Sequence, residues 1–259
     1  MNIRFDNQTA VLTGASRGLG RAVAMLLAEN GADVVIGDVL DEVGAATCRE
    51  IREKTGRQAT YVHVDVRDPQ QVQQLFDAVP VVDLVMHGAG VTVPENLLEA
   101  TDAAIERLFD INILGSSNVV RAALRKMLPQ KHGKIVLLSS VAGRYIDKTV
   151  THYRMSKAAM LSLTMSAASF AAPHHINVNA VCPGIIRTDM WEQLLDDKMK
   201  KMNLSREEAW QAMVGNLVPM GRPQTQEDIA AAVAFLLSSY ADNITGQALN
   251  VDGGQCMQI

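Results

Sequence analysis

Residues 9–31 read TAVLTGASRGLGRAVAMLLAENG, and this stretch decides the fold. Residues 9–14 are mostly β-branched or apolar, which is typical of a buried strand. A glycine-rich turn follows at residues 13–20, and residues 20–31 have the pattern of a helix that ends at a glycine. A strand, a glycine-rich turn and a helix in this order predict the first unit of a parallel α/β sheet.

The rest of the chain repeats this alternation of short apolar runs and longer helical stretches. Further strands are predicted at residues 32–38, 59–65, 81–90, 133–140, 176–184 and 248–254. Further helices are predicted at residues 41–55, 69–79, 101–128, 154–172 and 226–239. Strands that are almost continuously apolar need helices on both faces of the sheet. We therefore expect an α/β fold, with a doubly wound, mostly parallel, seven-stranded sheet of the Rossmann type in one domain over residues 1–259.

Only residues 185–225 interrupt the alternation, because they are helical in pattern and contain no predicted strand. The segment leaves from the end of the sixth strand, and open α/β sheets bind their ligands beyond the carboxyl ends of the strands. We interpret it as a small helical substrate lid. The alternative is an arm that serves packing or oligomer formation.

The composition excludes several classes of function. The 259 residues include 24 Lys and Arg against 28 Asp and Glu, so there is no basic surface for nucleic acid. No apolar run is long enough for a membrane helix, and the N-terminal residues lack the pattern of a signal peptide. Three widely spaced cysteines indicate reduced thiols. We expect a cytoplasmic protein.

The glycine-rich turn predicts a site for a dinucleotide. Gly14 permits the tight turn, Gly18 lets the backbone approach a pyrophosphate, and Gly20 lets the helix pack closely on the strand. Asp38 ends the second strand, where a carboxylate can accept hydrogen bonds from the adenosine ribose and repel a 2′-phosphate. Arg17 has the opposite preference, because an arginine in the turn can bind that phosphate. The alternative role of Asp38 is to cap the next helix.

Several further motifs occur in a fixed order along the chain. They are Asp65-Val66, His87-Gly-Ala-Gly90, Asn112, Ser140, Tyr153-Arg-Met-Ser-Lys157, Pro183-Gly184 with Thr188, and ITGQALNVDGG at residues 244–254. Together with the glycine-rich turn, they make the whole chain resemble the short-chain dehydrogenase/reductase family in its single-domain form. Among family members, the polyol, acetoin and 3-oxoacyl groups are the most similar.

The spacing of Tyr153 and Lys157 suits acid–base chemistry. A tyrosine has a free pKa of about 10, which is too high for a base at neutral pH. Lys157 lies one helical turn later on the same helix face, where its charge favours the tyrosinate. The resemblance implies that Tyr153 is the general acid and base, that Ser140 and not Ser139 binds the substrate oxygen, and that Asn112 holds a proton-relaying water with Lys157.

The resemblance also implies the binding residues. Those expected for the cofactor NAD are Gly14, Ser16, Arg17, Gly18, Leu19, Gly20, Asp38, Asp65, Val66, His87, Gly88, Ala89, Gly90, Tyr153, Lys157, Pro183, Gly184, Ile186 and Thr188. Those expected for the substrate are Ser140, Tyr153, Met190 and Trp191, of which the last two are alternatively packing residues of the lid.

One motif departs from the family pattern. The family has Asn-Asn-Ala-Gly where this chain has His87-Gly-Ala-Gly90, and the first asparagine normally stabilises the central sheet. We expect His87 to replace that hydrogen bonding. The histidine pair His174-His175 has no third ligand at metal spacing, so we predict no metal site there.

The resemblance therefore implies an NAD(H)-dependent oxidoreductase that interconverts a secondary alcohol and a ketone. One alternative is an NADP(H)-dependent ketoreductase, favoured by Arg17 and opposed by Asp38. The other is a non-catalytic dinucleotide-binding sensor or scaffold, which the presence of both Tyr153 and Lys157 disfavours. The expected partners are a small alcohol or ketone and further copies of the chain in a homotetramer, with no nucleic acid and no membrane.

Overall fold

The computed structural model describes residues 2–92, 97–145, 150–187, 195–196, 199 and 204–257. It begins with the predicted unit: strand β1 is Thr9–Thr13 and helix α1 is Gly18–Glu29. The helix begins two residues earlier than its sequence pattern indicates and ends two residues earlier. The glycine-rich turn is therefore short, and its last glycines already belong to the helix.

The described strands form one seven-stranded sheet in the order β3-β2-β1-β4-β5-β6-β7, and all six pairings are parallel. The strands after β1 are β2 (Asp33–Asp38), β3 (Ala59–His63), β4 (Leu84–His87), β5 (Gly133–Leu138), β6 (Ile176–Pro183) and β7 (Ala248–Val251). The predicted doubly wound sheet is confirmed. Its strand order reverses between β1 and β4, and ligands of such sheets bind in the crevice at this point.

All seven strands are shorter than predicted, and two of them by three residues or more. The strand expected over residues 81–90 is only Leu84–His87, and residues 88–90 leave the sheet towards the crevice. The strand expected over residues 248–254 ends at Val251, because Gly253 and Gly254 have φ values of +61° and +87°, outside the range of a strand. In both cases the chain beyond the strand is free to turn at the carboxyl edge of the sheet.

Helices cover both faces of the sheet. After α1 they are α2 (Asp41–Thr55), α3 (Pro69–Asp77), α4 (Asp102–Phe109), α5 (Gly115–Gln130), α6 (Thr151–Ala171), α7 (Arg206–Leu217) and α8 (Gln226–Leu237). Helices α1, α2 and α8 contribute to one buried apolar cluster, and α3, α5 and α6 contribute to the other. The two clusters account for the almost continuously apolar strands, which are buried on both sides.

Two predicted helices need correction. The stretch predicted as one helix over residues 101–128 contains a π-helical turn, Asp110–Leu114, between α4 and α5. Helix α6 begins at Thr151 and not at residue 154, so Tyr153 lies within its first turn. Both differences concern the local hydrogen bonding of the backbone, which the period of apolar side chains does not report.

The described part of segment 185–225 has a small core of its own. Side chains of Ile185, Leu195 and the buried face of α7 pack together, including Trp210. An isolated parallel bridge joins Ile186 to Gln224, so the two ends of the segment are adjacent even though it contains no described strand. Its role as a substrate lid stays a prediction.

Among the described residues, no helix has both the length and the apolar character needed to cross a bilayer. The three cysteines, Cys48, Cys182 and Cys256, are buried free thiols.

Candidate active site

The glycine-rich turn lies at the crevice between β1 and β4. Gly14 has a φ of +68°, and a Cβ there would lie 2.3 Å from the backbone nitrogen of Ala89. A Cβ on Gly20 would lie 2.3 Å from the carbonyl oxygen of Gly14. Both glycines are therefore needed for close contact of the turn with its own helix and with the segment after β4.

Gly18 differs from these two glycines. It has a φ of +58°, and a Cβ there would have no described neighbour within 4 Å. The residue thus faces open space at the N-terminus of α1, where free backbone N–H groups and the helix dipole attract phosphate. Nearby, the buried Ser16 hydroxyl has no hydrogen-bond partner among the described residues. The turn fits a dinucleotide pyrophosphate.

The carboxylate of Asp38 lies at the carboxyl end of β2 beside this turn. Its Oδ2 accepts a hydrogen bond from the Ser16 backbone at 3.0 Å, and its Oδ1 accepts from Val39 at 2.8 Å and from Leu40 at 3.3 Å. Helix α2 begins at Asp41, and no side chain caps it. Asp38 therefore anchors the turn instead of capping the next helix, and Oδ2 retains a lone pair for another donor.

The segment after β4 borders the other side of the crevice. A Cβ on Gly90 would lie 3.3 Å from Asn112 Oδ1 and 3.6 Å from Lys157 Nζ. The position therefore sits directly beside two of the predicted catalytic side chains. A larger residue at position 90 would press against both of them.

Tyr153 and Lys157 are brought together on α6, as their spacing predicts. Lys157 Nζ lies 5.6 Å from the centre of the Tyr153 ring. Burial raises the pKa of Tyr153 to about 12, although a hydrogen bond from the Ser140 hydroxyl acts in the opposite direction. Without additional positive charge, the phenol therefore keeps its proton at neutral pH.

Lys157 is itself buried, and its Nζ donates to the carbonyl oxygen of Leu138 at 2.9 Å. Burial lowers the pKa of Lys157 to about 8, since desolvation disfavours the charged form. The ammonium still predominates at pH 7. Its positive charge lies near the Tyr153 ring, and the charge of Arg154 also lowers the pKa of the phenol.

The structure separates the roles of the two serines after β5. The Ser139 hydroxyl donates to the backbone carbonyl of Lys157 at 3.0 Å, which fixes α6 against the strand. The Ser140 hydroxyl is the one that contacts Tyr153. The geometry thus supports Ser140 as the residue that shares a substrate oxygen with the phenol.

Asn112 lies in the π-helical turn and is fully buried. Its Oδ1 accepts from the Val91 backbone N–H at 2.8 Å, and its Nδ2 donates to the Val91 carbonyl at 2.8 Å and to Ser156 Oγ at 3.0 Å. The side chain therefore joins the segment after β4 to α6. A turn of π-helix in the middle of a helix is often found at a functional site.

His87 ends β4 and is fully buried. Its Nδ1 lies 2.7 Å from Thr13 Oγ1 on the neighbouring strand, and its Nε2 lies 2.9 Å from Ser116 Oγ on α5. His87 was expected to make the sheet-stabilising hydrogen bonds of the family's asparagine. These two contacts are consistent with that expectation. Its side chain occupies the core below the crevice.

The remaining predicted residues are distributed along the carboxyl edge of the sheet. Asp65 follows β3, and its carboxylate is held by Arg67, which keeps the pKa of Asp65 below its usual range. Val66 is buried beside Gly115, Pro183 is the last residue of β6, and Gly184 follows it. Ile186 is buried at the base of segment 185–225, and Leu19 packs partly against the core. Thr188, Met190 and Trp191 lie outside the described residues.

Two residues that hold the site together, Ser156 and Gly143, were missed by the sequence analysis. Ser156 lies inside the Tyr153–Lys157 motif and donates to the Tyr153 carbonyl at 2.7 Å. A Cβ on Gly143 would lie 2.8 Å from the backbone of α6 at residues 157 and 158, so this glycine permits the loop after Ser140 to contact the helix. Gly143 could have been identified from the sequence, because it lies only three residues after Ser140.

Other parts of the described chain contain no second group of side chains suited to catalysis or metal binding. No group of three or more metal-ligating side chains is found in these parts. A cavity of about 530 Å³ lies at the opposite edge of the sheet, among His132, Lys134, His175 and Asp242. This edge is formed by the amino ends of the strands, away from the crevice.

Comparison with known proteins agrees with this geometry. A family model described as enoyl-(acyl carrier protein) reductase matches residues 14–255. Galactitol 2-dehydrogenase of Agrobacterium fabrum is 35% identical over 260 residues, which cover 98% of this chain and 100% of the relative. The 3-oxoacyl-(acyl-carrier-protein) reductase of Chlamydia muridarum is 34% identical over 258 residues, or 98% of this chain and 99% of the relative.

Solved structures are similar over nearly the whole chain. NAD⁺-bound xylitol dehydrogenase superimposes with a TM-score of 0.90 at 30% identity, covering 96% of this chain and 99% of the other. L-sorbose reductase of Gluconobacter frateurii in complex with NADPH and L-sorbose has a TM-score of 0.94 at 25% identity, with both chains covered completely. Similar folds therefore bind either nicotinamide dinucleotide.

The burial of His87 predicts a loss of stability in acid. Burial lowers the pKa of His87 to about 3, and the nearby charge of Lys157 adds to this effect. An unfolded histidine takes up a proton below about pH 6.5, whereas folded His87 stays neutral, so the free energy of unfolding falls as the pH decreases from 6.5 towards 3. Between pH 6.5 and 5 the loss is about 2 kcal/mol, at about 1.36 kcal/mol per pH unit.

The measurement is urea unfolding of the native protein and of His87→Asn between pH 5 and 8. The variant is less stable at pH 8 but lacks this component of the pH dependence. His174→Asn is the matched control, because His174 is exposed. Equal pH slopes for native protein and His87→Asn would contradict the assignment.

Proposed function

The chain belongs to the short-chain dehydrogenase/reductase family, and from this premise we propose that it is an NAD(H)-dependent oxidoreductase that interconverts a secondary alcohol and a ketone. The observation that carries the proposal is the contact of Tyr153 with the Ser140 hydroxyl beside the buried ammonium of Lys157. These three groups provide a proton donor, a hydrogen-bond donor and a positive charge at the carboxyl edge of the sheet.

The residues that would hold the cofactor follow the crevice. The glycine-rich turn would bind the pyrophosphate, Asp38 the adenosine ribose, and Lys157 the nicotinamide ribose. When bound, the nicotinamide supplies or accepts the hydride. The open space at Gly18 and the remaining lone pair of Asp38 Oδ2 support this fit.

Residues of the chain itself transfer the proton. In reduction, Tyr153 donates its proton to the developing alkoxide while Ser140 donates a hydrogen bond to the same oxygen. In oxidation, Tyr153 accepts that proton, for which its pKa must fall well below 12. The ammonium of Lys157 lowers it, because an opposite charge nearby favours the ionised form.

For the substrate we propose a small secondary alcohol or the corresponding ketone, with segment 185–225 as its lid. The similarity to galactitol 2-dehydrogenase and to the (S)-acetoin-forming diacetyl reductase of Staphylococcus epidermidis supports a polyol or an acyloin. A panel of secondary alcohols, diols, sugar alcohols and hydroxyacyl compounds, assayed for NADH formation by purified protein, tests this. No turnover of any of them with either nucleotide would favour a non-catalytic sensor.

We place the enzyme in the cytoplasm, in keeping with its three free thiols.

Tyr153→Phe tests the proton donor. We expect kcat to fall by about 10²- to 10⁴-fold, the range that general acid–base catalysis contributes, while NADH still binds. The measurements are steady-state kinetics and NADH fluorescence. Tyr240→Phe is the control, because Tyr240 is half exposed in the turn after α8. A loss below tenfold would count against Tyr153.

Lys157→Met is the companion variant. It removes the charge that favours the tyrosinate and a group that would bind the cofactor ribose. We therefore expect both kcat and NADH affinity to decrease, in contrast to Tyr153→Phe.

Asp38 predicts a preference for NAD(H) over NADP(H). Two like charges 4 Å apart repel by about 4 kcal/mol at an effective dielectric near 20, and a retained 1.4 kcal/mol already gives roughly tenfold discrimination. Arg17 offsets part of this repulsion by pairing with a 2′-phosphate. The expected result is a kcat/KM for NAD(H) at least about tenfold higher with one substrate.

Asp38→Asn removes the charge, and its single amide oxygen can replace only one of the two carboxylate oxygens that accept from backbone N–H groups. We expect this variant to narrow or invert the preference. Asp41→Asn is the matched control: its carboxylate already accepts from Tyr61 and interacts with His63, so it should change the ratio less. Equal or better use of NADP(H) by the native protein would show that Arg17 prevails.

We further propose that the protein is a homotetramer. Helix α6 presents Met155, Met165 and Phe170 to solvent, with exposed fractions of 51%, 57% and 61%, and Leu114 in the π-helical turn is 56% exposed. A closed symmetric assembly would bury such apolar side chains.

Light scattering at micromolar concentration should give four times the chain mass of 28.1 kDa. Phe170→Glu should lower that mass, because a charge opposes burial of the helix face. Val43→Glu, on the exposed side of α2, should leave it unchanged. A monomeric native protein would reject the assembly.

A further inference from the structure

Three buried side chains connect the central strands to the π-helical turn. The chain of hydrogen bonds runs from Thr13 on β1 to His87 on β4, from His87 to Ser116 on α5, and from the Ser116 hydroxyl to the carbonyl oxygen of Asn112 at 2.5 Å. All four residues are fully buried. Thr13, His87 and Ser116 have no part in the proton transfer proposed above.

The direction of every bond follows from counting protons. A carbonyl oxygen only accepts, so the single hydrogen of the Ser116 hydroxyl points to Asn112. His87 Nε2 must then carry the hydrogen that Ser116 Oγ accepts. The neutral imidazole has an acceptor at Nδ1, to which the Thr13 hydroxyl donates. The network therefore holds His87 in one neutral tautomer with both ring nitrogens paired.

Asn112 transmits this arrangement to the active site. Its side chain holds both backbone polar groups of Val91 and donates to Ser156, which in turn donates to the carbonyl of Tyr153. Val91 adjoins Gly90, the residue beside Lys157 Nζ. A shift of the π-helical turn would thus move the segment after β4 relative to the first turn of α6.

We propose that His87 is a positioning residue, which acts through Ser116 to fix Asn112 and thereby the segment 88–91 against the helix that carries Tyr153 and Lys157. The inference rests on the proposed function for its kinetic consequence. The imidazole suits this task because its two nitrogens face opposite directions and reach a strand on one side and a helix on the other. A shorter asparagine at this position would not span both partners.

Two variants separate this role from simple support of the core. Ser116→Ala breaks the connection between His87 and Asn112, whereas Thr13→Val removes the hydrogen bond on the other nitrogen and preserves the connection. Each change deletes one hydroxyl at a fully buried site and leaves one imidazole nitrogen unpaired. A merely structural role predicts equal consequences for both.

The kinetic experiment uses the full-length protein with a substrate from the alcohol panel. We expect Ser116→Ala to lower kcat about tenfold with a nearly unchanged NADH dissociation constant, since displacements of 1 Å in a catalytic site can cost about a hundredfold. Thr13→Val should lower kcat clearly less than Ser116→Ala does, and Ser116→Thr should restore most of the activity because it retains the hydroxyl. Equal losses of kcat in Ser116→Ala and Thr13→Val would overturn the proposal.

A second measurement does not depend on activity. Hydrogen–deuterium exchange of a peptide that carries the Val91 amide reports its hydrogen bond to Asn112. We expect this amide to exchange faster in Ser116→Ala than in Thr13→Val. The two variants are compared at temperatures equally far below their own unfolding midpoints. Unchanged protection in Ser116→Ala would overturn the positioning role even if no substrate is found, whereas loss of protection without turnover by the native protein would count only against the proposed function.

Discussion

The site depends on keeping the ammonium of Lys157 charged in a buried position. Removing such a charge from water costs on the order of several kcal/mol, and the carbonyl of Leu138 offsets only part of this, because the pKa of Lys157 is still lowered to about 8. The surrounding structure serves to hold α6 where that contact is possible. Ser139 donates to the backbone of Lys157 itself, and Gly143 allows the loop after β5 to lie against the same turn of the helix. The phenol of Tyr153 then lies near this buried cation as well as near Arg154, whose charge lowers the pKa of the phenol.

The crevice exists because the backbone approaches itself closely at the reversal of strand order. Gly14 lies against the backbone of Ala89, so the glycine-rich turn after β1 is in direct contact with the segment after β4. On the other side of the turn, Asp38 binds the backbone of Ser16 and brings the end of β2 to the same edge. The carboxylate that would select the nucleotide is thus part of the turn that would hold its phosphates. Charge and backbone geometry at this edge cannot be altered independently.

The departure of this chain from the pattern of its family is compensated within the core. His87 occupies the position of the usual asparagine, and its two partners, Thr13 and Ser116, satisfy both nitrogens. Burial and the charge of Lys157 keep the imidazole neutral, so it behaves as a fixed hydrogen-bonding element and not as a titrating group near pH 7. Asn112 and the sheet are thereby connected through side chains. A neutral polar network of this kind is stable only when each member is paired.

The sequence by itself determined the fold class, the order of the strands and helices, and the pairing of Tyr153 with Lys157. These follow from short-range patterns: apolar runs, the glycines of residues 13–20, and a four-residue spacing on one helix. Only the tertiary structure decided that Ser139 bonds to the backbone of Lys157, that Asn112 lies in a π-helical turn, and that His87 joins Thr13 to Ser116. Thr13 and His87 are 74 residues apart, and His87 and Ser116 are 29 apart. No local pattern encodes such contacts, because they form only when the folded sheet and its helices bring distant side chains within hydrogen-bond distance.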